Sequence, residues 1–200
     1  MERVVIGVAG DSASGKGTAA EYLVKMGFKY FSLSDRIREE AARRKWGNGR
    51  KVLQDLGDEI RANFGAEEWA KRTAQLEEFK LGDRIVIDSI RHPSEIKYLR
   101  EFFEAKIIGV TASPETLFKR MRERNREGDP KTFEEFMEMQ KREMGVEGSS
   151  AMQVHKCLEI ADGIILNEMG NFELNREIDN LLEIWEIDIP GVGKERDKIF

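Results

Sequence analysis

The residues whose types and spacing could do chemistry begin with Gly10-Asp11-Ser12-Ala13-Ser14-Gly15-Lys16-Gly17-Thr18. Gly10 and Gly15 bracket four residues and Lys16 follows at once, which is the Gly-x-x-x-x-Gly-Lys spacing of a phosphate-binding loop. Glycines let the backbone curl so that successive N–H groups face inward around an anion. The run precedes a helical pattern through Ala19, Tyr22, Leu23 and Met26, whose start would add a positive dipole end. Lys16 supplies the one full positive charge within the loop, suited to the outer phosphates of a nucleotide. The residue after the lysine is ordinarily Ser or Thr, to hold magnesium; here it is Gly17, with Thr18 one place later.

Further along, Arg84-Ile85-Val86-Ile87-Asp88 reads as a buried strand ending in a carboxylate. At the C-terminal edge of a parallel sheet Asp88 would face the phosphate loop and could hold a magnesium-bound water, although a strand-terminal Asp also serves as a helix cap. Arg91 follows Asp88 by three residues, and Asp35 and Arg38 stand three apart, one helical turn, so that their side chains share a face. Arg120, Arg122, Arg124 and Arg126 form a dense cluster in which Arg120 and Arg124 share a face. Guanidinium groups bind phosphate oxygens in a permanently charged, bidentate fork. Gln54, Asp58 and Arg61 recur at helical spacing and either read an acceptor or face water. His92 and His155 are the two histidines, too separated for a metal cluster or a triad. Phosphoryl transfer needs neither, because positioning and charge neutralisation supply most of its catalysis.

The elements that must position these residues alternate. Strand patterns fall at 3–9, 28–33, 84–89, 106–112 and 163–167, with helical patterns between them. Near-continuous apolar runs such as Ile107-Ile108-Gly109-Val110 predict strands buried on both faces of a parallel sheet. Gly27 should end the first helix, and Ser113-Pro114 should open the helix after the fourth strand. Two charged stretches interrupt the alternation. The first carries the stripes Leu53, Leu56, Ile60, Phe64 and Trp69, Thr73, Leu76, separated by Gly65, after a Gly47-Asn48-Gly49 loop. The second predicts a helix capped by Thr132 and Glu135, with the methionine-rich 137–144 segment packing it. Leu174, Ile178, Leu181 and Trp185 stripe a last helix that should pack on the sheet.

Composition bounds the reading. Two hundred residues suit one domain with modest insertions. Charged residues make up 36% and the net charge is −5, so no global basic field invites duplex nucleic acid. A Glu-, Lys- and Arg-rich, Gln-poor chain has the bias of thermophile proteins. The single cysteine, Cys157, permits no intramolecular disulfide and fits a reducing cytoplasm. No apolar run approaches the ~20 residues of a membrane span, and the N-terminus runs straight into a strand, so neither a membrane nor a signal peptide is expected.

With these residues in view, the Gly-Lys-Gly-Thr run resembles the loop of adenylate kinase and its nucleoside monophosphate kinase relatives. In that family a Gly-Asp-x-x-Arg stretch follows the second strand and an Asp-Gly-x-x-Arg-like stretch ends the third; Asp35 with Arg38, and Asp88 with Arg91, stand at the matching positions. The resemblance implies that Arg38 and Arg91 grip the phosphate of an acceptor, and that Arg120 and Arg124 begin a LID closing over the transferring group. Gly163-Ile164-Ile165-Leu166-Asn167 with Gly170 resembles the last strand and turn of dephospho-CoA kinase, which would set Asn167 against the donor adenine. The implied fold is α/β, a P-loop kinase fold with a five-stranded parallel sheet in the order 2-3-1-4-5 flanked by helices. A single domain over 1–200 would divide into a core (1–34, 81–119 and 151–200), an acceptor-binding insert (35–80) and a short LID (120–150).

The implied function is an ATP- and magnesium-dependent phosphotransferase acting on a small phosphate-bearing acceptor, most simply a nucleoside or deoxynucleoside monophosphate. Dephospho-CoA kinase is the alternative enzyme, and a nucleotide-dependent regulatory or assembly ATPase the alternative of another class. The expected roles are donor binding by Gly10 to Thr18, Arg120 and Asn167, and acceptor binding by Asp35, Arg38, Gln54, Arg61 and Arg91. Catalysis falls to Lys16, Arg91, Arg120 and Arg124, and Mg2+ to Asp88 and Thr18.

Overall fold

The structure is a computed structural model that describes residues 3–81, 83–126, 128–145 and 151–189. Residues 190–200 lie outside the described residues. Five strands, β1 (Val4–Gly10), β2 (Lys29–Ser32), β3 (Arg84–Ile90), β4 (Lys106–Thr111) and β5 (Gly163–Leu166), pair in parallel in the order β2-β3-β1-β4-β5. This is the expected α/β architecture and strand order.

Helices cover both faces, as burial on both sides of the apolar strands demands. On one face α1 (Lys16–Lys25) and α10 (Asn171–Ile184) pack Leu23, Leu174 and Ile178 against Ile6, Val8, Val86, Ile108 and Val110. The other face carries α2 (Leu33–Arg43), α3 (Arg50–Phe64), α4 (Glu68–Ala74), α5 (Glu77–Lys80), α6 (Pro93–Phe103) and α9 (Val154–Glu159). There Leu56, Ile60, Trp69 and Phe79 join Val5, Ile85 and Ile87 in one apolar cluster. The segment between β2 and β3 thus shares the sheet's own core. Phe64 departs from its expected place in that core: it ends α3 and is exposed.

The two remaining helices, α7 (Pro114–Arg124) and α8 (Phe133–Met144), bear a cluster of their own, in which Leu117, Met121 and Phe136 pack against Ala13 of the phosphate loop. Ser113 caps α7 with Pro114 in its first turn, and Thr132 with Glu135 forms a capping box on α8, both as expected. The methionines of α8 divide: Met139 packs against this cluster as expected, and Met137 and Met144 do not. Phe136 is the residue fully buried there, Met137 and Met144 are exposed, and the buried residue at the far end is Glu143.

Two local features position the site. At Gly10 an added Cβ would lie 1.9 Å from the Val110 carbonyl oxygen, and φ is +146°, so glycine is required where β1 turns into the loop. In β3 the pairing with β1 is regular to Gly7–Ile87 and resumes at Ala9–Ile90, so Asp88 and Ser89 stand opposite Val8 alone. Ser89 takes φ +67°, the left-handed region, as the extra residue of this bulge.

Candidate active site

β1 delivers its loop to the sheet's C-terminal edge, where ligands bind in open parallel sheets. The loop is closed internally: the Ser14 amide donates to the Asp11 carbonyl at 3.2 Å, and Lys16 Nζ donates to the same oxygen at 2.9 Å. Asp11 holds the loop to β4 by accepting from Thr111 Oγ1 at 2.6 Å. Burial raises its carboxyl pKa, with that hydrogen bond and Lys16 opposing. Burial likewise pushes the Lys16 ammonium down, with Asp88 pulling it back up. Ser14 is fully buried; its carbonyl accepts from Asn167 Nδ2 at 2.8 Å and from Arg120 Nη1 at 3.5 Å, while its Oγ finds no hydrogen-bond partner. The first turn of α1 leaves N–H groups without intrahelical acceptors.

A single cavity of about 840 Å³ runs from this loop to α2 and α3. Of the residues expected at the site, Ser12, Ala13, Gly15, Lys16, Gly17, Thr18, Arg38, Gln54, Arg61, Asp88, Arg91, Arg120, Arg124 and Asn167 line it. Gly10, Asp11, Ser14 and Asp35 do not; the first three shape the loop, and Asp35 lies outside as an exposed partner of Arg38 at 2.8 Å. Asp88 is buried, accepts from Tyr30 Oη at 3.3 Å and takes the Ser89 amide. Burial, then Asp88, raises the Tyr30 pKa to about 12.

Arg61 requires a correction. It faces neither water nor an open acceptor: its side chain is 1% exposed and its guanidinium pairs with Glu95 at 3.1 Å and Asp58 at 3.3 Å. The second Glu95 oxygen accepts the backbone amides of Arg91 at 2.7 Å and His92 at 3.0 Å. Arg61 therefore reaches the cavity as part of its wall and, through Glu95, fixes the chain at Arg91.

The arginine cluster divides. Arg120, Arg124 and Arg126 line the cavity, whereas Arg122 donates to the Lys131 carbonyl and lies over the Phe118 ring. Arg142, from α8, pairs with Asp55 away from the cavity. Arg124 makes a two-pronged pair with Asp129, 2.8 Å at each prong.

Sequence reasoning missed Arg50 and Glu143. Arg50 opens α3 and donates to Ser12 Oγ at 3.0 Å, to Glu143 Oε1 at 2.6 Å and to Asp129 Oδ1 at 3.3 Å. Glu143 is 2% exposed, accepts from Ser12 Oγ at 3.0 Å and lies 3.9 Å from Arg91. Burial alone would raise its pKa; Arg91, Arg50 and Lys16 together hold it below the ordinary value. The Gly47-Asn48-Gly49 loop marks Arg50 as a helix start, but no local pattern reveals a contact spanning 93 residues.

Among the described residues no group of three or more His, Cys, Asp or Glu side chains gathers to hold a metal, and no helix is long and apolar enough to cross a membrane. Comparison with known proteins agrees with this geometry. The profile of the AAA domain matches residues 6–145. A UPF0200 protein of Pyrococcus furiosus is 30% identical over 186 residues, spanning 90% of this chain and 97% of its own. Among solved structures, shikimate kinase from Acinetobacter baumannii in complex with shikimate superposes with a TM-score of 0.63 at 12% identity, covering 93% of this chain and 96% of that one. Shikimate kinase from Bacteroides thetaiotaomicron gives 0.59 at 14% identity, covering 92% and 99%. The fold is that of the P-loop kinases.

Proposed function

Because this chain belongs to the UPF0200 family and carries an AAA domain, we propose that it is a phosphotransferase moving the terminal phosphoryl group of ATP to a small phosphate-bearing acceptor, a nucleoside or deoxynucleoside monophosphate. One observation carries the reading. Apart from the ion-paired Arg61, the cavity that begins at the phosphate loop is lined by Lys16 and six arginines against Glu21, Asp88 and Asp129, in a chain whose net charge is −5. So concentrated a positive wall suits two phosphate-bearing ligands placed end to end.

Each residue then has a task. The loop amides and Lys16 hold the outer phosphates of the donor, and the unpartnered Ser14 Oγ stands ready as a further donor in the loop. Arg120 and Asn167, both anchored on the Ser14 carbonyl, flank the donor end. Arg38 and Arg91 orient the acceptor phosphate, with Gln54 beside them. Arg124 and Arg126, in the proposed LID over 120–150, would close on the transferring group and exclude water. Asp88 and Thr18 would hold an ion carried mainly by nucleotide phosphates and water, for no cluster of three carboxylate, imidazole or thiol ligands gathers among the described residues. When bound there, Mg2+ would neutralise phosphate charge.

A coupled assay across ribo- and deoxynucleoside monophosphates, dephospho-CoA and hydroxyl acceptors tests the reading. Transfer to at least one monophosphate should outpace ATP hydrolysis. Dephospho-CoA outperforming every monophosphate would move the assignment to that enzyme. Hydrolysis that rises with a macromolecule, without transfer to any small molecule, would replace it with a regulatory ATPase.

A further inference from the structure

Arg50 and Glu143 lie outside every role assigned above, yet both touch the phosphate loop. Arg50 comes from the first turn of α3, on the acceptor side, and lines the cavity with its side chain 23% exposed. One of its nitrogens sits on Ser12 Oγ within the loop. The guanidinium is gripped from two sides, by Glu143 of α8 and by Asp129, which also holds Arg124. Glu143 is sealed beneath, with Ser12, Arg50 and Arg91 around it. A buried carboxylate bonded in this way is costly unless its partners are fixed, so the arrangement defines the orientation of the two arginines above it. Five N–H donors in a rigid fork exceed what two carboxylates and one hydroxyl use, which leaves Arg50 donor capacity toward the cavity.

We propose that Arg50 is a catalytic cation contacting the terminal phosphoryl group of the donor, and that Glu143 is the positioning residue that aims it. The proposal rests on the reading of the cavity as a nucleotide site. It adds to Lys16 a second charge at that phosphoryl group, supplied by the acceptor wall. Its geometry couples α3, α8 and the loop at one point, so the donor's last phosphate is sensed by the two segments flanking the acceptor. Glu143 touches neither ligand and acts through Arg50 and Arg91.

Titration calorimetry of ATP and ADP against the parent, Arg50→Ala, Arg50→Lys, Glu143→Gln and the Arg50→Ala/Glu143→Gln pair tests both halves. Arg50→Ala should weaken ATP about tenfold, the range of one charge-assisted contact, and leave ADP within about threefold. Arg50→Lys, which keeps the charge and loses the fork, should fall between. Glu143→Gln should weaken ATP in the parent and add nothing in the Arg50→Ala background, the non-additivity expected of residues acting as one unit. Equal losses for ATP and ADP, or no loss for either, overturn the role of Arg50. An equal cost of Glu143→Gln in both backgrounds overturns its role as positioner. If Glu143→Gln does not fold, Glu143→Asp, which withdraws the charge by one methylene, takes its place with the same criteria. These binding ratios need no acceptor, so they stand even where no monophosphate is phosphorylated; absence of ATP binding to the parent removes the functional reading and this proposal together.

Discussion

Lys16 folds back on its own loop, donating to the Asp11 carbonyl in a buried place where its charge is disfavoured. A ligand phosphate would replace that carbonyl with a full negative charge, which is the interaction the loop is shaped to make. Lys16→Met should therefore abolish transfer, by analogy with the ~3–4 kcal/mol lost when an electrostatic donor is removed at other sites, and should leave the melting temperature close to the parent's. More than a tenth of parental turnover in a steady-state assay would remove Lys16 from the transfer step. Two glycines give a contrasting pair. Gly10→Ala brings a methyl onto the Val110 carbonyl and should prevent folding, whereas nothing lies within 4 Å of a Cβ at Gly17. Gly17→Ala should therefore fold at least as well as the parent, as judged by thermal melting.

At the scale of elements, α8 is held at both ends, by its Thr132–Glu135 capping box and by Glu143 against α3 and the loop. The Glu143 pKa lies below its ordinary value in the folded protein despite burial, because Arg91, Arg50 and Lys16 outweigh it. Its ionised form is thus favoured by folding. That stabilisation is present above the unfolded value of about 4.3 and is lost as pH falls through the lower folded value. Glu143→Gln should accordingly be less stable than the parent at neutral pH, and the difference should shrink in acid. Urea midpoints measured from pH 7 down to pH 3 would show this; a difference that grows in acid contradicts the assigned charge pairing.

How much of these elements could be read in the sequence follows from the range of the interactions. Strands, caps and the Gly27 and Gly65 helix ends were legible because each is set by neighbours within a few residues, and Gly65 does cap α3 with φ +111°. The placement of the loop and of Asp88 at the sheet's edge was legible for the same reason. Arg61 was not, since its partner Glu95 lies 34 residues away and turns a polar-looking position into a buried ion pair. Phe64 was misplaced because a helical stripe says which face is apolar but not where the neighbouring core stops.

For the whole molecule, the Arg61–Glu95 pair is the tie between the acceptor side and the sheet. α3 supplies Arg61, α6 supplies Glu95, and Glu95 in turn accepts two backbone amides at the end of β3. Removing one partner leaves a buried charge uncompensated, which costs about 3–5 kcal/mol. Arg61→Met should lower stability by that order in chemical denaturation and should also raise the acceptor KM, because the chain at Arg91 loses its anchor. A stability loss with an unchanged acceptor KM would confine Arg61 to a structural role. The segment from β2 to β3 shares its apolar cluster with the sheet, so the unfolding transition should be single.

The bulge in β3 makes the count of residues, not only their kind, part of the machinery. Ile85 and Ile87 face one side of the sheet, and simple alternation would send residue 89 after them; with the extra residue it is Ile90 that joins their cluster. Everything downstream, Arg91 included, is phased by that one insertion. What must be kept is the match between that extra residue and the left-handed turn at Ser89 that absorbs it. Ser89→Gly would ease a left-handed backbone, while deleting Ser89 would restore one-to-one pairing, leaving Ile90 opposite Ala9 in its cluster but removing the bulge next to Asp88. Straightening the strand at Ser89 with that residue still present would instead turn Ile90 out of its cluster and carry Arg91 to the opposite face.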